Sequence, residues 1–153
     1  MTPASRVLDT PPAYPDVMPA AMAKKLALHT DAWDLAVDLA AEVETLVVID
    51  TRSPSHYAAG HIPGAISLPH VDMTAERLAK LATDRVYVCY CDGIGCNGST
   101  RGAFKLASAG FRVKELLGGL DFWRRDGHPV ATGIDPGSLR PDEIANCGCG
   151  ATT

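Results

Sequence analysis

Two short, almost wholly apolar runs constrain the fold of this chain more than any other feature. Thr45–Asp50 reads TLVVID and Val86–Tyr90 reads VYVCY. Strands without a polar face are typical of a parallel sheet that is covered on both sides. Segments with helical spacing or helix-capping residues alternate with these runs. The sequence therefore predicts an α/β fold with a mainly parallel sheet and the VYVCY run as its central strand.

The bounds of the other elements follow from capping residues, prolines and glycines. Helices are predicted over Ala20–His29, Ala32–Glu42, Pro54–Ala59, Ala75–Leu81, Ser99–Ala109 and Leu120–Arg125, and further strands over Ala65–Leu68 and Val113–Leu117. We divide the chain into an N-terminal arm with two helices (1–44), a central domain (45–132) and a turn-rich tail (133–153) that we expect to lie over the surface. Active sites of such folds lie at the carboxyl ends of strands, so we expect chemistry directly after Tyr90.

The composition excludes several functional classes. The 153 residues carry a net charge of −4, which provides no positive surface for nucleic acid or for an anionic membrane. No apolar run approaches the roughly 20 residues that span a bilayer, and the first residues lack the apolar centre of a secretory signal. We therefore expect a cytoplasmic protein without nucleic-acid or membrane partners. The five cysteines, which lie in two short segments, favour redox, metal-binding or nucleophilic chemistry over a secreted disulfide framework.

A glycine-rich loop follows the VYVCY run and contains two of the cysteines, Cys91 and Cys96. Cysteine reacts as the thiolate, which is favoured at the N-terminus of a helix. Glycines allow successive N–H groups to converge on one anion. We predict that Cys91 is a sulfur nucleophile and that the rest of the loop binds its substrate or persulfide through Asp92, Gly93, Ile94, Gly95, Asn97, Gly98 and Ser99.

Three stretches of the chain resemble the rhodanese homology family. They are an N-terminal signature at Asp50–Arg52 and Tyr57–Ala65, a strand Val88–Cys91 that ends in the active-site cysteine, and a C-terminal signature at Leu117–Trp123 and Gly127–Val130. The resemblance implies a three-layer sandwich with a central five-stranded sheet and helices on both faces. It also implies transfer of sulfane sulfur through a persulfide on Cys91, with no cofactor. The implied partners are a small-molecule sulfur donor and an acceptor that is a thiol or cyanide.

The loop departs from the usual family pattern, Cys-x4-Arg. Tyr90–Gly98 instead matches a subgroup with the loop Tyr-Cys-x4-Cys-Asn-Gly. The loop is about two residues longer than usual, Gly98 stands at the position of the family's arginine, and His56 stands where a glutamate is usual. Two roles remain open for Cys96. It could resolve Cys91 by forming a disulfide, or it could be the nucleophile itself, because Cys-x4-Arg recurs between Cys96 and Arg101.

Other polar and aromatic residues in and near the signatures are predicted to stabilise the fold. Asp50 and Arg52 are predicted to support the loop from beneath as a buried ion pair. His61 is interpreted as fixing a turn through hydrogen bonds. The predicted core residues are Cys89, Trp123 and Phe122, the last two of which could also form the edge of a pocket.

The cysteines are also compatible with functions other than sulfur transfer. The chain could be a redox protein that uses a Cys91–Cys96 disulfide, or a soft-metal module that adds Cys147 and Cys149, although no Cys-x-x-Cys pair is present and we predict no metal. Phosphatase and arsenate-reductase chemistry would need Cys-x5-Arg, and the arginine position counted from Cys91 falls on Asn97. A homodimer embraced by the proline-rich arm is left open.

Overall fold

A computed structural model describes residues 4–145 and contains an all-parallel five-stranded sheet. The elements are α1 (Met18–Leu28), β1 (His29–Thr30), α2 (Ala32–Ala40), β2 (Leu46–Asp50), α3 (Pro54–Ala59), β3 (Ile66–Ser67), α4 (Ala75–Leu78), β4 (Val86–Tyr90), α5 (Gly98–Ser108), β5 (Arg112–Leu116) and α6 (Gly119–Arg125), with 3₁₀ turns at Val7–Asp9, His70–Asp72 and Pro141–Glu143. The strand order is β1-β5-β4-β2-β3. The predicted α/β fold is confirmed, with β4 at the centre of the sheet.

The first strand corrects the predicted helix Ala20–His29. Helix α1 ends at Leu28, and His29 has an extended backbone with φ −126° and ψ 159°. His29 and Thr30 pair in parallel with Glu115 and Leu116 of β5. A two-residue strand has no periodicity of its own, and its pairing partner lies far along the chain.

Within the described part of the chain, none of the helices has the length and apolar content of a membrane span.

Both faces of β4 are buried, as the VYVCY run predicts. Val88 and Tyr90 belong to a core under α2 and α6, which includes Trp123. Tyr87 and Cys89 belong to a second core on the other face, together with residues of β2, α4 and α5. Burial on both sides fixes the position of β4, and therefore also the start of the loop that follows Tyr90.

The sequence predicted that the tail lies over the surface, but one of its side chains enters the core. Leu139 is only 4% exposed and belongs to the core under α2 and α6, and Ile144 packs against the same core. The tail backbone also contacts the domain, because the Gly64 N–H donates a hydrogen bond to the carbonyl oxygen of Pro136 at 2.7 Å. Cys147 and Cys149 lie outside the described residues.

Candidate active site

The cysteine loop lies at the carboxyl edge of the sheet, between β4 and α5. Cys91 and Cys96 are joined by a disulfide bond, with their Cα atoms 6.1 Å apart. Cys91 is almost completely buried, whereas Cys96 is partly exposed. Arg101 lies inside α5, where its Nε donates a hydrogen bond to Asn97 Oδ1 at 3.3 Å. The last four residues of the second Cys-x4-Arg match, Gly98 to Arg101, therefore belong to a helix and do not form a loop.

Gly98 is the first residue of α5 and lies directly against both sulfur atoms. Its N–H donates a hydrogen bond to Cys96 Sγ at 3.4 Å. A Cβ atom at this position would lie 3.1 Å from Cys91 Sγ and 3.4 Å from Cys96 Sγ. Gly98, which stands at the position of the arginine in the usual family loop, therefore packs closely against the two sulfur atoms. In this disulfide form the amide reaches Cys96, whereas the sequence predicted that loop amides would converge on Cys91.

The start of α6 holds the first two residues of the loop. The Leu120 N–H donates to the Cys91 carbonyl at 3.0 Å, and the Asp121 N–H donates to the Asp92 carbonyl at 2.7 Å. This approach requires Gly119, which has a φ of +57°. A Cβ atom on Gly119 would overlap the Cys91 carbonyl oxygen. The glycines of the C-terminal signature therefore allow a helix end to contact the loop backbone.

A buried arginine connects the loop to the neighbouring strand β2. Arg52 Nη2 lies 2.6 Å from Asp50 Oδ2, and Arg52 Nη1 lies 2.9 Å from Asp92 Oδ1. Arg52 also donates to the Gly60 carbonyl at 2.6 Å. The Tyr90 hydroxyl donates to Asp50 Oδ2 at 2.6 Å. Arg52 thereby links the ends of β2 and α3 to the residue that follows Cys91.

Burial and charge act in opposite directions on this cluster. Burial alone lowers the pKa of Arg52, but the hydrogen bonds and charge of Asp50, joined by Asp92, raise it above its ordinary value. Burial, followed by the negative charge of Asp50, raises the pKa of Tyr90. Arg52 therefore stays charged and Tyr90 stays protonated. The sequence did not predict the Tyr90 contact with Asp50 or the Asp92 contact with Arg52, because no local pattern marks either pair.

A cavity of about 410 Å³ opens onto the disulfide. Its wall includes both cysteines and Arg52, together with the polar residues Thr51, His56, His70, Asp72 and Asn97. A second groove of about 620 Å³ continues from it past Asn97 along α5 to Phe104 and Lys105. His70 and Asp72 were not predicted from the sequence. They belong to a 3₁₀ turn beside the cavity, in which the His70 N–H donates a hydrogen bond to the Thr51 carbonyl oxygen at 3.1 Å.

Comparison with known proteins identifies the family to which this fold belongs. The family described as "Rhodanese-like domain" matches residues 34–126. The chain belongs to the rhodanese-like domain family. The thiosulfate sulfurtransferase GlpE of Pseudomonas entomophila is 40% identical over 88 residues, which cover 56% of this chain and 77% of that enzyme.

The chain is also similar to a transcriptional regulator and to a protein of known structure. The HTH-type transcriptional regulator Rv0324 of Mycobacterium tuberculosis is 40% identical over 96 residues, or 63% of this chain, and the match spans only 42% of the regulator. The crystal structure of the BH2092 protein from Bacillus halodurans is 37% identical, with a TM-score of 0.76. That similarity covers 79% of this chain and 88% of the other.

The signature residues of this rhodanese-like domain have different structural roles. His61 is fully buried and stacks on Tyr57 with 3.7 Å between the ring centroids. Its two ring nitrogens face the carbonyl oxygens of Tyr57 at 2.8 Å and Asp135 at 3.1 Å, so it ties α3 to the tail. Trp123 is a core residue, as predicted. Phe122 is 41% exposed and packs over Gly118, so its placement in the core was wrong.

The other cysteines divide into one buried thiol and two outside the described residues. Cys89 is fully buried, and burial, followed by the charge of Glu115, raises its pKa to about 12. It is therefore a neutral core thiol. Among residues 4–145, no group of three or more His, Cys, Asp or Glu side chains is arranged to hold a metal ion. Cys147 and Cys149, which the metal alternative requires, lie beyond this range.

Proposed function

We propose that this chain is a rhodanese-type sulfurtransferase that carries sulfane sulfur as a persulfide on Cys91. The observation that carries the proposal is the position of Cys91, at the end of the central strand and in the wall of a cavity that the start of α5 also lines. The similarity to an enzyme named thiosulfate sulfurtransferase supports the same activity. The acceptor of the sulfur in this proposal is a thiol or cyanide.

In the proposed reaction, two equivalents of a thiol first reduce the Cys91–Cys96 disulfide and leave as the disulfide of that thiol. The Cys91 thiolate then attacks the outer sulfur of a donor such as thiosulfate, the S–S bond of the donor breaks, and sulfite leaves with the bonding electrons. An acceptor thiolate attacks the outer sulfur of the resulting persulfide and releases the Cys91 thiolate. The positive end of the α5 dipole lies beside both sulfur atoms and favours their anionic forms, including those on Cys91. Arg52 acts as a positioning residue, since it holds Asp92 next to Cys91.

Mass spectrometry of the reduced protein after treatment with thiosulfate tests this proposal. We expect wild type and Cys96→Ser to gain one sulfur on the peptide that contains Cys91, and Cys91→Ser to gain none. A persulfide that persists in Cys91→Ser and disappears in Cys96→Ser would move the carrier to Cys96. If no variant gains sulfur from thiosulfate or from an organic persulfide, the sulfurtransferase proposal is wrong.

The observed disulfide favours a second candidate, a redox protein that exchanges disulfides through Cys91 and Cys96. Partly exposed Cys96 would receive the attack of a substrate thiol. This function predicts that the protein, with dithiothreitol as reductant, catalyses reduction of a disulfide-linked reporter peptide and loses that activity in Cys96→Ser. If catalysis is absent in wild type while sulfur loading is present, the redox candidate is excluded.

A further inference from the structure

We propose that the oxidised loop has an additional activity: it accepts hydrosulfide, HS⁻, and converts it into a persulfide on Cys91 by opening the Cys91–Cys96 disulfide. This inference rests on the proposed function only in that both use Cys91 as the sulfur carrier. The two reactions start from opposite states of the loop. Thiosulfate loads the dithiol, whereas hydrosulfide loads the disulfide that the structure contains.

The reaction is balanced without any further oxidant. HS⁻ attacks Cys91 Sγ, a bond forms between the two sulfur atoms, and the bond between Cys91 and Cys96 breaks. The electron pair of the broken bond leaves on Cys96 Sγ as a thiolate. The hydrosulfide sulfur is thereby oxidised to the level of a persulfide, and the Cys96 sulfur is reduced. The product is Cys91–S–SH beside the Cys96 thiolate, and each disulfide loads one sulfur.

Hydrogen bonding determines which of the two sulfurs is the leaving group. In thiol–disulfide exchange, the sulfur that is more stable as a thiolate leaves faster. The Gly98 N–H donates to Cys96 Sγ at 3.4 Å, at the first turn of the eleven-residue helix α5. Among the hydrogen bonds of residues 4–145, none reaches Cys91 Sγ. Cys96 is therefore the better leaving group, and the incoming sulfur is expected to bond to Cys91.

Access to the two sulfurs differs in a way that favours a very small nucleophile. Cys91 is only 4% exposed, but its side chain lines the cavity of about 410 Å³. A water molecule occupies about 30 Å³ in the liquid, and HS⁻ is of comparable size, so it fits this cavity readily. Larger thiols meet partly exposed Cys96 first. Hydrosulfide should therefore give a Cys91 persulfide, whereas bulky thiols should give a mixed disulfide on Cys96.

The test uses the full chain with its loop disulfide formed, freed of oxidant and treated anaerobically with sodium sulfide. Free thiols and persulfides are then alkylated, and peptide mapping separates Cys91 from Cys96, Cys147 and Cys149. We expect one added sulfur on Cys91 and an alkylated Cys96 without added sulfur. Wild type that has been reduced beforehand is a control with the same fold and should gain nothing from sulfide. Cys96→Ser, which cannot form the disulfide, should also gain nothing.

Three results would overturn this inference. They are a disulfide that sulfide leaves intact, opening of the disulfide by sulfide without a persulfide on either cysteine, and added sulfur on Cys96. A parallel sample of reduced protein treated with thiosulfate separates this inference from the proposed function. If sulfide loads Cys91 and no sulfane donor does, the proposed function fails and the inference holds. If thiosulfate loads Cys91 and sulfide does not, only the inference fails.

Discussion

Gly119 shows how one residue without a side chain positions the reactive loop. Its backbone lies in the left-handed region, with a φ of +57°, and a Cβ atom there would overlap the backbone of Cys91 and approach Gly93 N to 3.1 Å. Both neighbours are backbone, which cannot rotate away as a side chain can. Displacement of α6 from the loop would break the hydrogen bond between the Leu120 N–H and the Cys91 carbonyl. The glycine is therefore required by the close contact as well as by its backbone angle.

We expect Gly119→Ala to destabilise the protein and to slow sulfur loading of Cys91. Gly110→Ala is the matched control, because Gly110 has a φ of +91° but no atom within 4 Å of a built Cβ. Backbone strain should cost the control about 1–2 kcal/mol. Overlap should add about 1–3 kcal/mol in Gly119→Ala. Urea denaturation measures both, and equal losses in the two variants would contradict the role assigned to the close contact.

Arg52 is a second residue whose surroundings determine how much its substitution destabilises the protein. It is buried between Asp50 and Asp92, whereas Arg140 forms ion pairs with Asp142 and Glu143 on the surface. Arg52→Gln leaves a buried carboxylate without its partner, so we expect a loss of about 3–5 kcal/mol in the free energy of unfolding. Arg140→Gln should cost about 0–1 kcal/mol. Thermal and urea unfolding of the two variants give the comparison, and a loss in Arg52→Gln as small as in Arg140→Gln would disprove it.

Most of the site residues that were predictable are neighbours in the sequence, apart from Asp50 and Arg52, which were expected beneath the loop from the N-terminal signature. Cys91, Cys96 and the glycines between them are adjacent along the chain, so their common loop could be predicted, together with a disulfide as one alternative. The contact between Tyr90 and Asp50 joins residues forty positions apart. His70 lines the cavity, and its N–H donates a hydrogen bond to the carbonyl oxygen of Thr51, which belongs to another segment. Such contacts are set by packing between elements, and no pattern within either segment marks them.

At the scale of elements, burial of β4 on both faces has a consequence for its titratable side chains. Burial is the largest cause that raises the pKa of Cys89, Tyr87 and Tyr90, and the value for Cys89 is about 12 against an ordinary 9. The unfolded chain loses these protons at lower pH than the folded chain does. The folded state therefore binds more protons over this interval, and its stability falls as the pH rises.

We expect the free energy of unfolding to decrease between about pH 9 and pH 12, by up to about 1.4 kcal/mol per pH unit for each such group. Cys89→Ala removes one of these groups and should flatten the decrease by that share. The measurement is urea denaturation across this pH range, in buffers of equal ionic strength. An unchanged slope in Cys89→Ala would show that Cys89 does not titrate as its burial implies.

The elements themselves were predictable to different degrees. The bounds of β2 and β4 were predicted to within one residue. An apolar run that is covered on both faces differs clearly in composition from the polar residues beside it. α4 ends at Leu78, three residues before its predicted end. A helix of four residues is too short for the spacing of its apolar residues to mark where it ends. β1 was missed because its two residues become a strand only through pairing with β5. Patterns within a segment thus predict long or buried elements better than short ones at the edge of the sheet.

At the scale of the whole molecule, the site depends on segments that lie far apart in the chain, from β2 to the tail. The loop after β4 is held by Arg52 from β2 and by the start of α6. The segment after α6 in turn contacts the tail, where the Ala145 N–H donates to His128 Nδ1 at 3.2 Å. His61 joins α3 to the same tail. The part of the tail that is described, 133–145, therefore acts as a component of the folded domain and stabilises the elements that carry the loop.

Leu139 tests this role of the tail. Leu139→Ala removes a side chain that is 4% exposed within the core under α2 and α6, so we expect a loss of about 2–5 kcal/mol in the free energy of unfolding. Ile134→Ala is the matched control from the same tail, because Ile134 is 90% exposed and should lose less than about 0.5 kcal/mol. Urea denaturation measures both variants. If both losses are small, the tail only lies on the surface, and a domain that ends at residue 132 would be sufficient to hold Cys91 in place. A large loss in Leu139→Ala alone would mean that the structural unit around the loop extends past that boundary.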